Sequence, residues 1–149
     1  MVCPFCESAD TNVINSRNKA KLSRVWRRRK CNGCLKVFTT NETPNYDQLV
    51  VTKRNGHTER FSYSKLFISV WRACEALPKT TEVASALTET ILTKTIKESQ
   101  GGAIATEQIG TLASQVLQRY NASAFVRYAS YQANLSTSRE LKRAMKYFS

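Results

Sequence analysis

The chain has one histidine, three prolines and five glycines in 149 residues, and no apolar run approaches the roughly 20 residues that span a bilayer. Met1-Val2 runs straight into Cys3-Pro4-Phe5-Cys6, without the apolar stretch of a secretory signal. A reducing, cytoplasmic setting without membrane contact is the expectation. The phosphate loop GxxxxGK[ST] is missing, and the 11 acidic residues form no cluster suited to holding Mg²⁺ beside a reacting phosphate. His57 lies in a hairpin turn, where exposure is the expectation. These absences argue against a nucleotide hydrolase or nuclease, and no catalytic residue is expected.

Cysteine is scarce after residue 34: four of the five lie within the first 34 residues, and only Cys74 beyond. Two CxxC knuckles, Cys3–Cys6 and Cys31–Cys34, enclose residues 7–30. In a reducing setting such paired motifs favour metal over disulfides. Four thiolates satisfy tetrahedral Zn²⁺ and leave no open position, so one structural zinc on Cys3, Cys6, Cys31 and Cys34 is expected. Gly33 is expected to take a positive φ in its knuckle. The alternatives are a redox dithiol and buried structural thiols. Cys74 falls on a helical apolar stripe and reads as core.

What is abundant is positive charge: 23 Lys and Arg against 11 acids, net +12. Residues 1–45 carry nine basic and three acidic residues, so the excess is densest there. The densest stretch is Arg24-Val25-Trp26-Arg27-Arg28-Arg29-Lys30, with Arg17, Lys19 and Lys21 before it and Lys36 after. Consecutive cations repel one another and are best tolerated against a polyanion, and arginine offers a planar fork to phosphates and guanine edges. Candidate DNA contacts are Arg17, Arg24, Arg27, Arg28, Arg29 and Lys36. The alternative is a solvated basic face. Trp26 reads as the ribbon's small core, with base stacking as the alternative.

Thr43-Pro44-Asn45 has the chemistry of a linker. Beyond it, Leu49–Lys53 and Thr58–Phe61 read as a hairpin with Asn55-Gly56 at the turn. Helical periodicity follows. Ser62 or Ser64 caps a first helix bearing Leu66, Phe67, Val70, Trp71, Cys74 and Leu77, which Pro78 stops. Val83, Leu87, Ile91 and Leu92 mark a second, broken at Gly101-Gly102. Thr106 caps a third, with Ile109, Leu112, Ala113, Val116, Leu117 and Tyr120 on its buried side. Phe125, Val126, Tyr128 and Ala129 mark a fourth, and a short basic helix closes the chain. No internal repeat or low-complexity segment is present.

Two segments carry a family resemblance. Val51-Thr52-Lys53-Arg54-Asn55-Gly56-His57-Thr58-Glu59-Arg60-Phe61, then Ser64-Lys65-Leu66, resembles the opening of an ATP-cone, the nucleotide-sensing module of ribonucleotide reductases. Together with CPFC…SR…RRRKCxxCxxxFTTxE, Ala73-Cys74-Glu75 and Ala124–Ser130, it resembles the bacterial NrdR family, transcriptional repressors of ribonucleotide reductase genes, from Cys3 to about Tyr131. The resemblance implies an α+β chain with a small β zinc ribbon over 1–45 and an ATP-cone over 46–136; the basic C-terminal helix, over 137–149, is read from the residues alone. It implies nucleotide phosphates on Lys53, Arg54 and Lys65, adenine near Glu59, and Val51 and Tyr128 in the same site. Lys65 near a helix N-terminus fits independently, since free N–H groups favour an anion there.

The same resemblance implies ATP or dATP as allosteric effectors, a nucleotide-dependent homo-oligomer, and double-stranded operator DNA upstream of reductase genes as partner, with the protein cytoplasmic and nucleoid-associated when DNA-bound. Asn15, Leu77 and Gln132 depart from the family pattern; Gln132 replaces a tyrosine. A general nucleic-acid module explains the ribbon but leaves the hairpin and helices without a role.

Overall fold

The computed structural model describes residues 1–19, 24–99 and 101–132. The basic helix expected over 137–149, Lys21 and the side chain of Gln132 lie outside the described residues. The chain divides into two compact units, Met1–Asn45 and Tyr46 onward.

The first unit is an antiparallel sheet of β1 (Thr11–Lys19), β2 (Arg24–Cys31) and β3 (Val37–Glu42), in the order β1-β2-β3. A bulge between Val13 and Asn15 shifts the β1–β2 register. Among the described residues of this unit only Cys3 and Cys31 are fully buried. So small a unit lacks a hydrophobic core able to hold three strands, and a metal cross-link is the physical substitute. Trp26 does not close a core: it is half-buried under Arg17, whose guanidinium lies 5.8 Å from the ring centroid.

The second unit opens with the hairpin β4 (Val50–Thr52) and β5 (Thr58–Arg60). Gly56 takes φ 79° in its turn, and Lys53 N–H donates to the His57 carbonyl at 2.8 Å. His57 is exposed. The helices are α1 (Tyr63–Cys74), α2 (Thr80–Glu98), α3 (Thr106–Tyr120) and α4 (Ala122–Gln132). Ser62 caps α1, its Oγ accepting from the Lys65 N–H at 3.4 Å. Their apolar stripes meet the hairpin in one core that includes Val51, Phe61, Val70, Ile91, Leu117 and Tyr128. Cys74 is buried in that core, and burial pushes its thiol up while Arg127 opposes the shift.

Several local expectations are corrected. Strand β6 (Ala103–Ala105) pairs parallel with β4, giving the order β5-β4-β6, where the periodicity showed only a break. Three residues after two glycines carry no readable period; the open edge of β4 defines them. Thr106 does not cap α3, because its hydroxyl donates to the Thr52 carbonyl at 3.1 Å and so ties α3 to β4. Tyr120 and Val126 are about half exposed, at 51% and 45%. Helix α1 ends at Cys74, four residues before Pro78. Thr88 and Thr95 are buried in α2, their hydroxyls donating to the carbonyls of Ala84 and Ile91. That bond satisfies each hydroxyl locally, so a residue that reads as polar packs as core.

Candidate functional site

The two knuckles have the same backbone geometry. Cys3 N–H donates to the Ser8 carbonyl at 2.9 Å, and Cys31 N–H to the Lys36 carbonyl at 3.0 Å. In each, the residue after the second cysteine is left-handed: Glu7 at φ 59° and Leu35 at φ 61°. Gly33 therefore does not supply the positive φ. Its value is closeness, because a Cβ there would meet the Ser8 Cβ at 3.4 Å and the Cys31 sulfur at 3.7 Å.

The four sulfurs lie within 4.8 Å of one another. Cys3 and Cys34 sulfurs are 3.7 Å apart, and those of Cys6 and Cys31 are 3.6 Å apart. A tetrahedron of thiolates about 2.3 Å from Zn²⁺ has edges of about 3.8 Å, so the donor set fits one ion with no coordination position left over. The protonation chemistry agrees. The Ser8 N–H lowers the Cys6 thiol, yet the Cys34 and Cys31 thiols outweigh it and push Cys6 up to about 12. Cys31 is pulled down to about 7, chiefly by the Cys34 N–H, which reaches its sulfur at 3.5 Å. Four thiols this close do not ionise together unless a cation neutralises them, as Zn²⁺ does.

Strand alternation divides the ribbon's cations. Arg24, Trp26, Arg28 and Lys30 share one face of β2, and register places Asn15 and Arg17 beside Arg28 and Trp26. Arg27 and Arg29 point to the opposite face. There Arg27 pairs with Glu42 at 3.1 Å, and Arg29 Nε donates to Thr40 Oγ1 at 3.3 Å. Lys36 sits over the Phe5 ring at 4.7 Å. The six candidate contacts thus occupy no single surface.

In the second unit, Val51, Lys53, Glu59, Lys65 and Tyr128 line one cleft of about 190 Å³. Val51, Phe61, Leu66 and Tyr128 form its apolar wall, all nearly fully buried. Glu59 stands between the two lysines at the rim: Lys53 Nζ reaches its Oε1 at 2.9 Å and Lys65 Nζ its Oε2 at 3.0 Å. Hydrogen bonds from Lys53 and then Lys65 hold the Glu59 carboxyl below the usual carboxylate range. The rim keeps one net positive charge, and the first turn of α1 beside it bears no acid, so the rim favours an anion. Arg54 is placed elsewhere: it pairs with Glu107 at 2.9 Å and lines a neighbouring cleft with Thr111, Ser114 and Phe125. Thr106, Ile109 and Gly110 of α3 also line the first cleft, a contribution the sequence reading missed. Gly110 offered a signal, since glycine inside a helix costs about 1 kcal/mol relative to alanine and is otherwise unexplained here.

A thiolate cage on a three-stranded ribbon and a lysine-rimmed cleft under a hairpin define a zinc-ribbon protein with an ATP-cone. Residues 1–42 match the family described as the N-terminal domain of NrdR-like transcriptional repressors, and residues 49–135 match the ATP-cone domain. A Transcriptional repressor NrdR of Thermobifida fusca is 36% identical over 143 residues, covering 96% of this chain and 91% of its own length. That of Deinococcus radiodurans is 38% identical over 130 residues, covering 87% and 80%. That of Pelotomaculum thermopropionicum is 35% identical over 130 residues, covering 87% and 78%. The chain belongs to the NrdR family of transcriptional repressors, which are regulators rather than enzymes. No helix among the described residues is long and apolar enough to cross a membrane.

Proposed function

We propose that this repressor senses ATP or dATP in its cone and thereby controls how tightly its zinc ribbon holds operator DNA upstream of ribonucleotide reductase genes. The observation that carries the reading is the Lys53–Glu59–Lys65 cluster at the mouth of an apolar cleft. An apolar slot with a cationic rim suits a base attached to phosphates. Lys53 and Lys65 take the phosphates, and Glu59, released from them, accepts from the adenine amine. Arg54 joins the phosphates only by leaving Glu107. The zinc does no chemistry and instead holds β2 and β3 in place.

One ribbon offers little area for operator binding, so several must act together, and the nucleotide selects the oligomer that aligns them. Each nucleotide must then bind one assembly better than another. On this reading the protein works in the cytoplasm, on the nucleoid when bound to DNA. The test is a gel shift on a reductase-promoter fragment with ATP, dATP or neither, alongside solution mass under the same conditions. Nucleotide-dependent shift and mass are expected. Equal binding to random DNA and unchanged mass in all three conditions would overturn it.

A further inference from the structure

The run Arg27-Arg28-Arg29-Lys30 looks in sequence like one basic patch, but β2 sends its members to opposite sides. On one side, Arg27 and Arg29 are half-buried, as are Thr40 and Phe38 across from them on β3, although Ser16 and Val13 across on β1 are exposed. Both guanidiniums have protein partners in Glu42 and Thr40. On the other, Arg28 and Lys30 are exposed, and so are Asn15 and Thr39 across from Arg28, Asn12 and Val37 across from Lys30, and Asn41 across from Trp26. Arg17 is exposed on that side too, its guanidinium over the Trp26 ring. The strand residues of that face include no acid, whereas Glu42 falls on the face of Arg27 and Arg29.

We infer that the face carrying Arg17, Trp26, Arg28 and Lys30 docks on duplex DNA, and that Arg27 and Arg29 are structural residues that hold β2 to β3. This rests on the proposed role of the ribbon in DNA binding and specifies the surface that performs it. Charge complementarity decides the side. A phosphate backbone meets exposed cations and amides with no carboxylate among the strand residues of one face, and on the other meets Arg27, whose charge is shared with Glu42, and Arg29, whose Nε–H is given to Thr40. Arg17 is preorganised by the indole, so less side-chain entropy is lost when it meets a phosphate. Asn15, beside Arg28, adds a neutral donor and acceptor, able to pair with a base edge without repelling phosphate.

The test uses the zinc-loaded full chain with nucleotide and a labelled reductase-promoter duplex, followed by fluorescence anisotropy across a salt series. Arg28→Ala/Lys30→Ala is expected to weaken binding at least about tenfold and to lower the salt slope by about two, one per lost phosphate contact. Arg27→Gln/Arg29→Gln is expected to stay within about threefold of wild type, with zinc content checked for both variants. A second readout does not depend on altering the strand. In Trp71→Phe protein, Trp26 is the sole tryptophan, and duplex is expected to shield its emission from iodide. If the Arg27/Arg29 variant loses binding with zinc retained while the Arg28/Lys30 variant does not, or if Trp26 stays equally quenchable, the face is overturned and DNA binding stands. If wild type binds no duplex at all, the ribbon's role in DNA binding falls, and the face with it.

Discussion

Lys65, in the first turn of α1, reaches across to Glu59 on β5 and places its Nζ 3.0 Å from the carboxylate. Lys53 holds the other oxygen at 2.9 Å, so one carboxylate ties the hairpin to the helix across the cleft mouth. Because the folded state lowers the Glu59 pKa, the contact contributes stability that is fully present above the ordinary carboxylate range. It is lost as pH falls through the depressed value. Urea unfolding of wild type and Glu59→Gln across a pH series should therefore show wild type more stable near neutrality and the two converging in acid. Parallel curves at every pH would contradict this.

The cleft geometry ranks the cations. Lys65→Ala and Lys53→Ala should each weaken ATP binding about tenfold or more, the worth of one hydrogen bond to a charged group. Arg54→Ala should cost less, because Arg54 lines a different cleft and is held by Glu107. Titration calorimetry on the three variants decides. An Arg54→Ala loss as large as that of Lys65→Ala would mean that the ligand draws Arg54 off Glu107.

Removing zinc should act on one unit. The ribbon has only two fully buried residues among those described, both cage cysteines, whereas the second unit has its own apolar core. Cys31→Ser, or chelation of the metal, should unfold the ribbon and abolish DNA binding while ATP affinity stays within about twofold, since the cleft keeps all its lining. Amide-exchange protection read separately over 1–45 and 46–132 tests this. Retained operator binding by Cys31→Ser would show the zinc to be dispensable.

Lys79 begins α2 at φ 56°, ψ 41°, without a side-chain cap bond. A left-handed lysine costs on the order of 1 kcal/mol, and asparagine both tolerates that conformation and caps a helix. Lys79→Asn should raise stability by about 1 kcal/mol, read as a higher Tm with unchanged ATP binding. A lower Tm would mean that the lysine has a role of its own.

The zinc ligands were legible because CxxC spacing encodes a knuckle without help from distant residues. Helices α1 and α3 were legible because Leu66, Val70 and Cys74, or Leu112, Val116 and Leu117, repeat with the helical period. Strand β6 was not, because three residues hold no period and their pairing with β4 is a long-range event. Thr106 looked like a cap and is a tether, since an Oγ suits either role and only the neighbouring strand decides.

By itself, then, the sequence determined which residues can hold a metal, where the chain turns, and how much positive charge the ribbon carries, because spacing and composition are local properties. Spacing and composition did not place Val51, Glu59, Lys65 and Tyr128, drawn from β4, β5, α1 and α4, in one cleft; the family resemblance implied a shared site, and the tertiary structure brings them together. Tertiary structure also decided that Arg54 faces Glu107 rather than the lysines, and that neighbours Arg27 and Arg28 look opposite ways. The reason is the same in each case. A strand reverses its side chains at every residue and a helix brings distant ones together, so a patch read along the chain becomes a surface only when the fold selects which side is left open.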